Sequence, residues 1–251
     1  MVMMGATFRC NICGSPSIFM PSGDWREAPS CQTCGSSVRM RSVIHALTGR
    51  LYGAPRALPD LGPDPRAGLG LSDWEVYAAG LERVFDYRNT FYHQEPRLDI
   101  SAPDPAFHGV ADFLISSDVF EHVAEPVSAA FDGAWEVLRP GGVLILTVPY
   151  GDDPFTREHY PGVCDLKVLE LGGEWIVVTR AANGGVGLDL KPVFHGGPGS
   201  TLEMRLFGLQ DIFRALEAAG FGEVQLHEAA DPEWGVFPPH SYGLPISAVR
   251  H

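Results

Sequence analysis

Four cysteines near the start of the chain are spaced to bind a metal. They read Cys10-Asn11-Ile12-Cys13, then 17 residues, then Cys31-Gln32-Thr33-Cys34. A Cys-x-x-Cys pair closes a tight turn that directs two thiolates at one ion. Two such pairs complete a tetrahedral site with no open position. Gly14 and Gly35 each follow the second cysteine of a pair, where the backbone often needs positive φ. A closed site is structural, and its ion would hold a segment with too little core to fold alone. Zinc is the expected metal, and an iron centre would use the same ligands. A pair of disulfides does not suit a reducing compartment, and two matched pairs in one short segment argue against a redox motif. Cys164 stands apart and reads as a small half-buried hydrophobe.

The elements around this ribbon are basic at one end of the chain and acidic over the rest. Residues 1–66 hold seven Arg and four acids, whereas residues 67–251 hold 11 Lys+Arg and 27 acids, giving a net charge of −13 over 251 residues. An acidic surface repels phosphate backbones, so a broad nucleic-acid interface is not expected. No apolar run approaches the ~18 residues of a membrane span, and Met1 to Ala6 lack a signal peptide's basic and apolar regions. The cytoplasm is the expected location, and nothing in the sequence sets an oligomeric state. After the ribbon, Val43, Ile44 and Leu47 share one helical face, with Gly49 and Gly53 as stops. Arg39, Arg41, Arg50 and Arg56 make this helix basic, suited to docking on the acidic body or, in a sharper reading, to an anionic substrate. The ribbon and this helix form a first unit, residues 1–50, and residues 51–251 the second.

In the second unit, Gly68-Leu69-Gly70-Leu71 precedes Ser72-Asp73-Trp74-Glu75. Ser72 and Glu75 have the spacing of a capping box, which puts Gly68 and Gly70 in a turn at a helix N-terminus, where a ligand can approach the backbone. Asn89 to Tyr92 read as a short strand. Phe113 to Ile115 read as a buried strand, Pro126 to Leu138 as a helix with one apolar stripe, Pro140-Gly141-Gly142 as its stop, and Val143 to Val148 as a second buried strand. This βαβ unit predicts a parallel α/β sheet with its ligand at the carboxyl ends of the strands.

The run Ser117-Asp118-Val119-Phe120-Glu121-His122-Val123, a helix, then Leu138-Arg139-Pro140-Gly141-Gly142 and an apolar strand ending in Val148-Pro149 resembles class I S-adenosylmethionine-dependent methyltransferases of the type 11 kind. A zinc-binding N-terminal module also occurs in some members. The resemblance implies a Rossmann-like, doubly wound, seven-stranded sheet with its last strand antiparallel. It implies S-adenosylmethionine as cofactor and a small-molecule acceptor, with sugars and nucleotide-linked sugars as candidates. Gly68 and Gly70 would lie in the first cofactor loop. Asp99 and Ile100 would contact adenine. Ser117, Asp118 and Val119 would floor the sulfonium, and His122, which fits the family's pattern just past that strand, would join the cofactor-binding residues. The family's ribose-binding acid has no counterpart at the end of the second strand, where Tyr92 or His93 would substitute.

Methyl transfer from a sulfonium needs alignment and exclusion of water, and a base only if the acceptor must lose a proton. By position, His122, His159 and His195 are the candidates, with a purely structural histidine the competing reading for each. Glu174 to Thr179, a turn at Asn183-Gly184-Gly185, and Leu188 to Phe194 read as a hairpin. It lies in an insertion, residues 150–205, expected to act as the substrate lid. A different class of function stays open: a non-catalytic interaction protein built on a degenerate methyltransferase domain.

Overall fold

The computed structural model describes residues 5–20, 24–151, 153–195, 197–238 and 243–251; Gly196 of the glycine-dense loop after His195 lies outside them. Strands β1 (Ala6–Arg9) and β2 (Pro16–Phe19) pair antiparallel and carry the first cysteine pair in their turn. Helix α1 (Val38–Tyr52) starts where the Ser37 side chain accepts from the Met40 amide and ends at Gly53, whose φ of 75° reverses the chain. It runs through Gly49 and buries Val43, Ile44 and Leu47 completely, as their spacing predicts.

Next come β3 (Ala67–Leu71), α2 (Glu75–Val84), β4 (Asp86–Thr90), β5 (Ala111–Ser117), α3 (Ser128–Val137) and β6 (Leu138–Thr147). An insertion follows with β7 (Tyr150–Gly151), β8 (Arg157–Glu158), β9 (Val163–Leu171), β10 (Glu174–Ala181), β11 (Val186–Asp189), β12 (Phe194–His195), β13 (Thr201–Leu202) and β14 (Arg205–Gly208). The chain closes with α4 (Leu209–Ala218), β15 (Phe221–Leu226) and β16 (Ile246–Arg250). The expected hairpin is present as β10 and β11, with β9 completing a three-stranded antiparallel sheet. Cys164 departs from expectation: it is exposed, on β9.

The central sheet has the order β15-β16-β6-β5-β3-β4, and β16 runs antiparallel to both its neighbours. The doubly wound architecture is as expected, but among the described residues the sheet has six strands rather than seven. Only 20 residues separate Thr90 from Ala111, and Pro96, Pro103 and Pro105 fall within them. Proline donates no backbone hydrogen bond to a ladder, and this stretch makes a single parallel bridge, Phe91 to Arg97.

Alternation along β5 decides the two layers. Phe113 and Ile115 face α1 and α2, and Leu114 faces α3 and α4. On the first face the cluster also takes in Cys10, Ile12, Phe19 and Cys31, so the cysteine ribbon and the sheet bury one another in a common core.

Candidate functional site

A crevice of about 1080 Å³ opens at the carboxyl ends of β3, β4 and β5. Leu71 and Ser72 line it at the end of β3 and just beyond, Tyr92 and His93 after β4, and Ser117, Asp118 and Val119 at the end of β5 and just beyond. Asp99 and Ile100 line it from the connection before β5, His122 from the turn after β5, and His195 and Thr201 from the insertion. Asp99 Oδ1 accepts from the Ser101 amide (3.0 Å) and hydroxyl (2.6 Å).

Gly68 and Gly70 are not in a turn. Both lie inside β3, where a side chain on Gly68 would strike the Phe113 ring and one on Gly70 would strike Tyr87 and Asp73. Neither lines the crevice. They leave room for neighbouring side chains, which is how glycine in a strand interior is commonly used. The capping box does not form either: α2 begins at Glu75, and Ser72 sits at φ 57°. The turn after β3 is held instead by Asn89, whose Oδ1 accepts from the Asp73 amide and whose Nδ2 donates to the Asp73 carbonyl, both at 2.8 Å.

The N-terminal arginines reach the rim. Arg26 donates to both Asp118 carboxylate oxygens at 3.1 Å, and Arg39 Nε stands 3.3 Å from Asp118 Oδ2. Arg39 also donates to the Ser117 hydroxyl (2.6 Å) and pairs with Glu27 (2.7 Å). Thr147 adds a hydrogen bond to Asp118 (2.8 Å). Burial opposes the charge on Asp118, but the two guanidiniums outweigh it and hold the carboxyl well below the usual range. The basic face therefore docks on the acidic body, the first of its two readings. Arg26 and Arg39 line the crevice, a placement that sequence reasoning did not assign to them.

The histidines gather around two glutamates. Glu203 takes His159 Nε2 on Oε1 and His195 Nε2 on Oε2, both at 2.8 Å. His122 Nδ1 lies 2.7 Å from the Leu202 carbonyl. Glu121, fully buried, has His195 Nδ1 at 3.1 Å and His122 Nε2 at 3.5 Å from Oε1. Among the described residues neither Glu121 oxygen has a hydrogen-bond partner of good geometry, although His195 Nδ1 is within ion-pair distance of Oε1. Burial pushes Glu121 up to about 7. His195, flanked by Glu121 and Glu203, is raised to about 10. Burial lowers His122. His122 and His195 face the crevice; His159 stands behind Glu203 and does not line it. Glu203 carries no local sequence signal.

The four ribbon cysteines converge as their spacing predicts. Their sulfurs lie within 4.8 Å of one another, with Cys10–Cys34 and Cys13–Cys31 each at 3.7 Å. Four sulfurs about 2.3 Å from one ion in a tetrahedron stand roughly 3.8 Å apart. Gly14 and Gly35 have φ of 77° and 71°, and their amides close the knuckles on the Cys10 and Cys31 carbonyls at 2.8 and 2.9 Å.

No protein-family model matches the sequence, and no curated protein does. Solved structures do match. The CurJ carbon methyltransferase is similar at a TM-score of 0.50 and 14% identity, over 85% of this chain and 55% of that one, so the chain spans about half of CurJ's length. The 1,6-didemethyltoxoflavin-N1-methyltransferase of Burkholderia thailandensis, solved with S-adenosylhomocysteine, gives 0.47 and 15% over 85% of this chain and 77% of that one. Streptomyces venezuelae DesVI gives 0.45 and 13% over 84% and 92%. With its strand order, its antiparallel β16 and its crevice over the carboxyl rim, the chain has the methyltransferase fold.

Proposed function

We propose that this protein transfers a methyl group from S-adenosylmethionine to a small-molecule acceptor. The observation that carries the reading is the open crevice at the carboxyl rim, about 1080 Å³ and lined by Asp99, Ile100, Ser117 and Val119. Ligand sites run roughly 300–1,000 Å³, so this volume accommodates a cofactor with a sugar-sized acceptor beside it. The residues present fit the cofactor. Asp99 keeps Oδ2 without a hydrogen bond among the described residues and would take the adenine amino group, with Ile100 against the ring. Tyr92 and His93 would serve the ribose, and Ser117 and Val119 the methionine end. When bound, the cofactor supplies an electrophilic methyl on a good leaving group. The protein's share is to align the acceptor and keep water out. The insertion, residues 150–205, contributes His195 and Thr201 to the wall and would cover the acceptor. A sugar or nucleotide-linked sugar is the proposed acceptor class.

The cysteine ribbon is proposed to hold zinc. Its sulfur spacing matches a tetrahedral thiolate site, and the donor set suits that ion. Cys10, Cys13, Cys31 and Cys34 would fix the loop that bears Arg26 and the start of α1 that bears Arg39.

Calorimetry with S-adenosylmethionine tests the main reading. Binding in the micromolar range is expected. Absence of binding at millimolar cofactor would overturn it in favour of a non-catalytic interaction protein.

A further inference from the structure

We propose that Glu121, His122 and His195 form a second metal site, distinct from the cysteine ribbon, that binds a divalent transition-metal ion at the crevice wall.

The first argument is convergence. One ligand atom from each of Glu121, His122 and His195 lies within 4.8 Å of the other two. Ligand atoms about 2.1 Å from one ion stand roughly 3.0–3.4 Å apart at octahedral or tetrahedral angles. The observed separations from Glu121 Oε1 are 3.1 Å to His195 and 3.5 Å to His122.

The second argument is the unmet need of Glu121. Its side chain is fully buried, and neither oxygen receives a hydrogen bond. A buried carboxylate without donors is costly, and a cation between it and the imidazoles removes that cost.

The third argument is which ring nitrogens are already committed. His122 Nδ1 is 2.7 Å from the Leu202 carbonyl, and a carbonyl only accepts, so that nitrogen carries the hydrogen. His195 Nε2 likewise faces Glu203 Oε2 at 2.8 Å. Once His195 gives up its second proton, as binding a cation requires, each ring would turn its remaining lone pair toward Glu121. A backbone carbonyl or a carboxylate on the far ring nitrogen is the usual support of a metal-ligating histidine. Two imidazoles and one carboxylate suit ions such as cobalt, iron, nickel or zinc. His122 and His195 line the crevice, so an ion held there would be reached from it. Its open positions would take oxygen donors of a bound molecule, such as neighbouring hydroxyls. Glu203 acts through His195 and is a positioning residue.

The competing arrangement places a proton on His195 Nδ1, leaving an imidazolium between Glu121 and Glu203. The test is cobalt(II) titration of the full-length, zinc-loaded protein, with neither cofactor nor acceptor present, so its outcome is independent of the methyl-transfer reading. The expected result is saturable uptake of an additional equivalent, seen as ligand-field absorption without a thiolate charge-transfer band. Glu121→Gln and His122→Ala should abolish it. Glu203→Gln should weaken it by about 10–100-fold, while leaving the ribbon metal in place as a check on folding. No uptake by the parent protein, or uptake unchanged in folded Glu121→Gln and His122→Ala proteins, would overturn the proposal.

Discussion

Arg39, on the helix that follows the cysteine ribbon, stands 3.3 Å from Asp118 at the tip of the central strand β5. The contact joins the N-terminal segment to the rim of the crevice. Arg26 grips the same carboxylate from the second-knuckle side of the ribbon.

Asp118 therefore adds stability that depends on its charge. Its carboxyl is depressed in the folded protein, so the contribution is fully present above the unfolded value near pH 4 and is lost as pH falls below it. Acid denaturation followed by circular dichroism should show the parent losing stability more steeply below about pH 4 than Asp118→Asn. Arg39→Gln at neutral pH should cost about 2 kcal/mol, because it strips charged hydrogen bonds from Glu27, Ser117 and Asp118.

Asp73 should show the opposite dependence. It is buried, accepts from the Tyr77 hydroxyl at 2.7 Å and from the Tyr87 hydroxyl, and burial raises it to about 7. A raised carboxyl resists ionisation in the folded state, so stability falls as pH rises from about 4 through 7. Urea unfolding at about pH 5 and about pH 9 should show a fall of up to about 3 kcal/mol in the parent. Asp73→Asn should flatten it, and an equal slope in both proteins would refute this account.

Gly68→Ala separates a packing role from a ligand role. The added methyl meets the Phe113 ring, and overpacking of this kind costs about 1–3 kcal/mol. Thermal unfolding should register that loss, while cofactor affinity in the folded variant stays within about twofold of the parent.

Asp99 carries the opposite expectation. Asp99→Ala should weaken S-adenosylmethionine binding by about tenfold or more, the worth of one charged hydrogen bond, with a smaller effect on stability because the residue is only half-buried. Calorimetric affinities of parent and variant provide the check.

Cys34→Ser should do damage beyond the ribbon itself. Loss of one thiolate opens the ribbon, and the ribbon shares its core with the sheet. A stability loss above about 4 kcal/mol is expected, together with weaker cofactor binding as Arg26 and Arg39 lose their footing. Denaturant unfolding and calorimetry on the same preparation measure both.

Residues 112–149 were legible because physics there is local. Phe113 to Ile115 and Leu144 to Leu146 are buried on both faces of a parallel sheet, and such strands read as continuous apolar runs. The cysteine spacing was legible for a similar reason, since each knuckle closes within a few residues. The first strand was not. Ala67 to Leu71 contains two glycines, which have low strand propensity, and parallel pairing on both sides overrides that preference. The candidate site was legible only in part. Asp118 and His122 stood out, but Arg26 pairs with Asp118 across 92 residues and Glu203 meets His159 across 44. No periodicity encodes contacts of that range.

The common core of ribbon and sheet makes the leading fifty residues a foundation rather than an appendage. A chain cut after the first helix would leave Phe113, Val143 and Ile145 facing water in place of Val43, Ile44 and Leu47. Such a fragment should clump rather than work. If the proposed ion holds the ribbon, stripping it with a chelator would then loosen the packing beneath the sheet as well as the knuckles themselves.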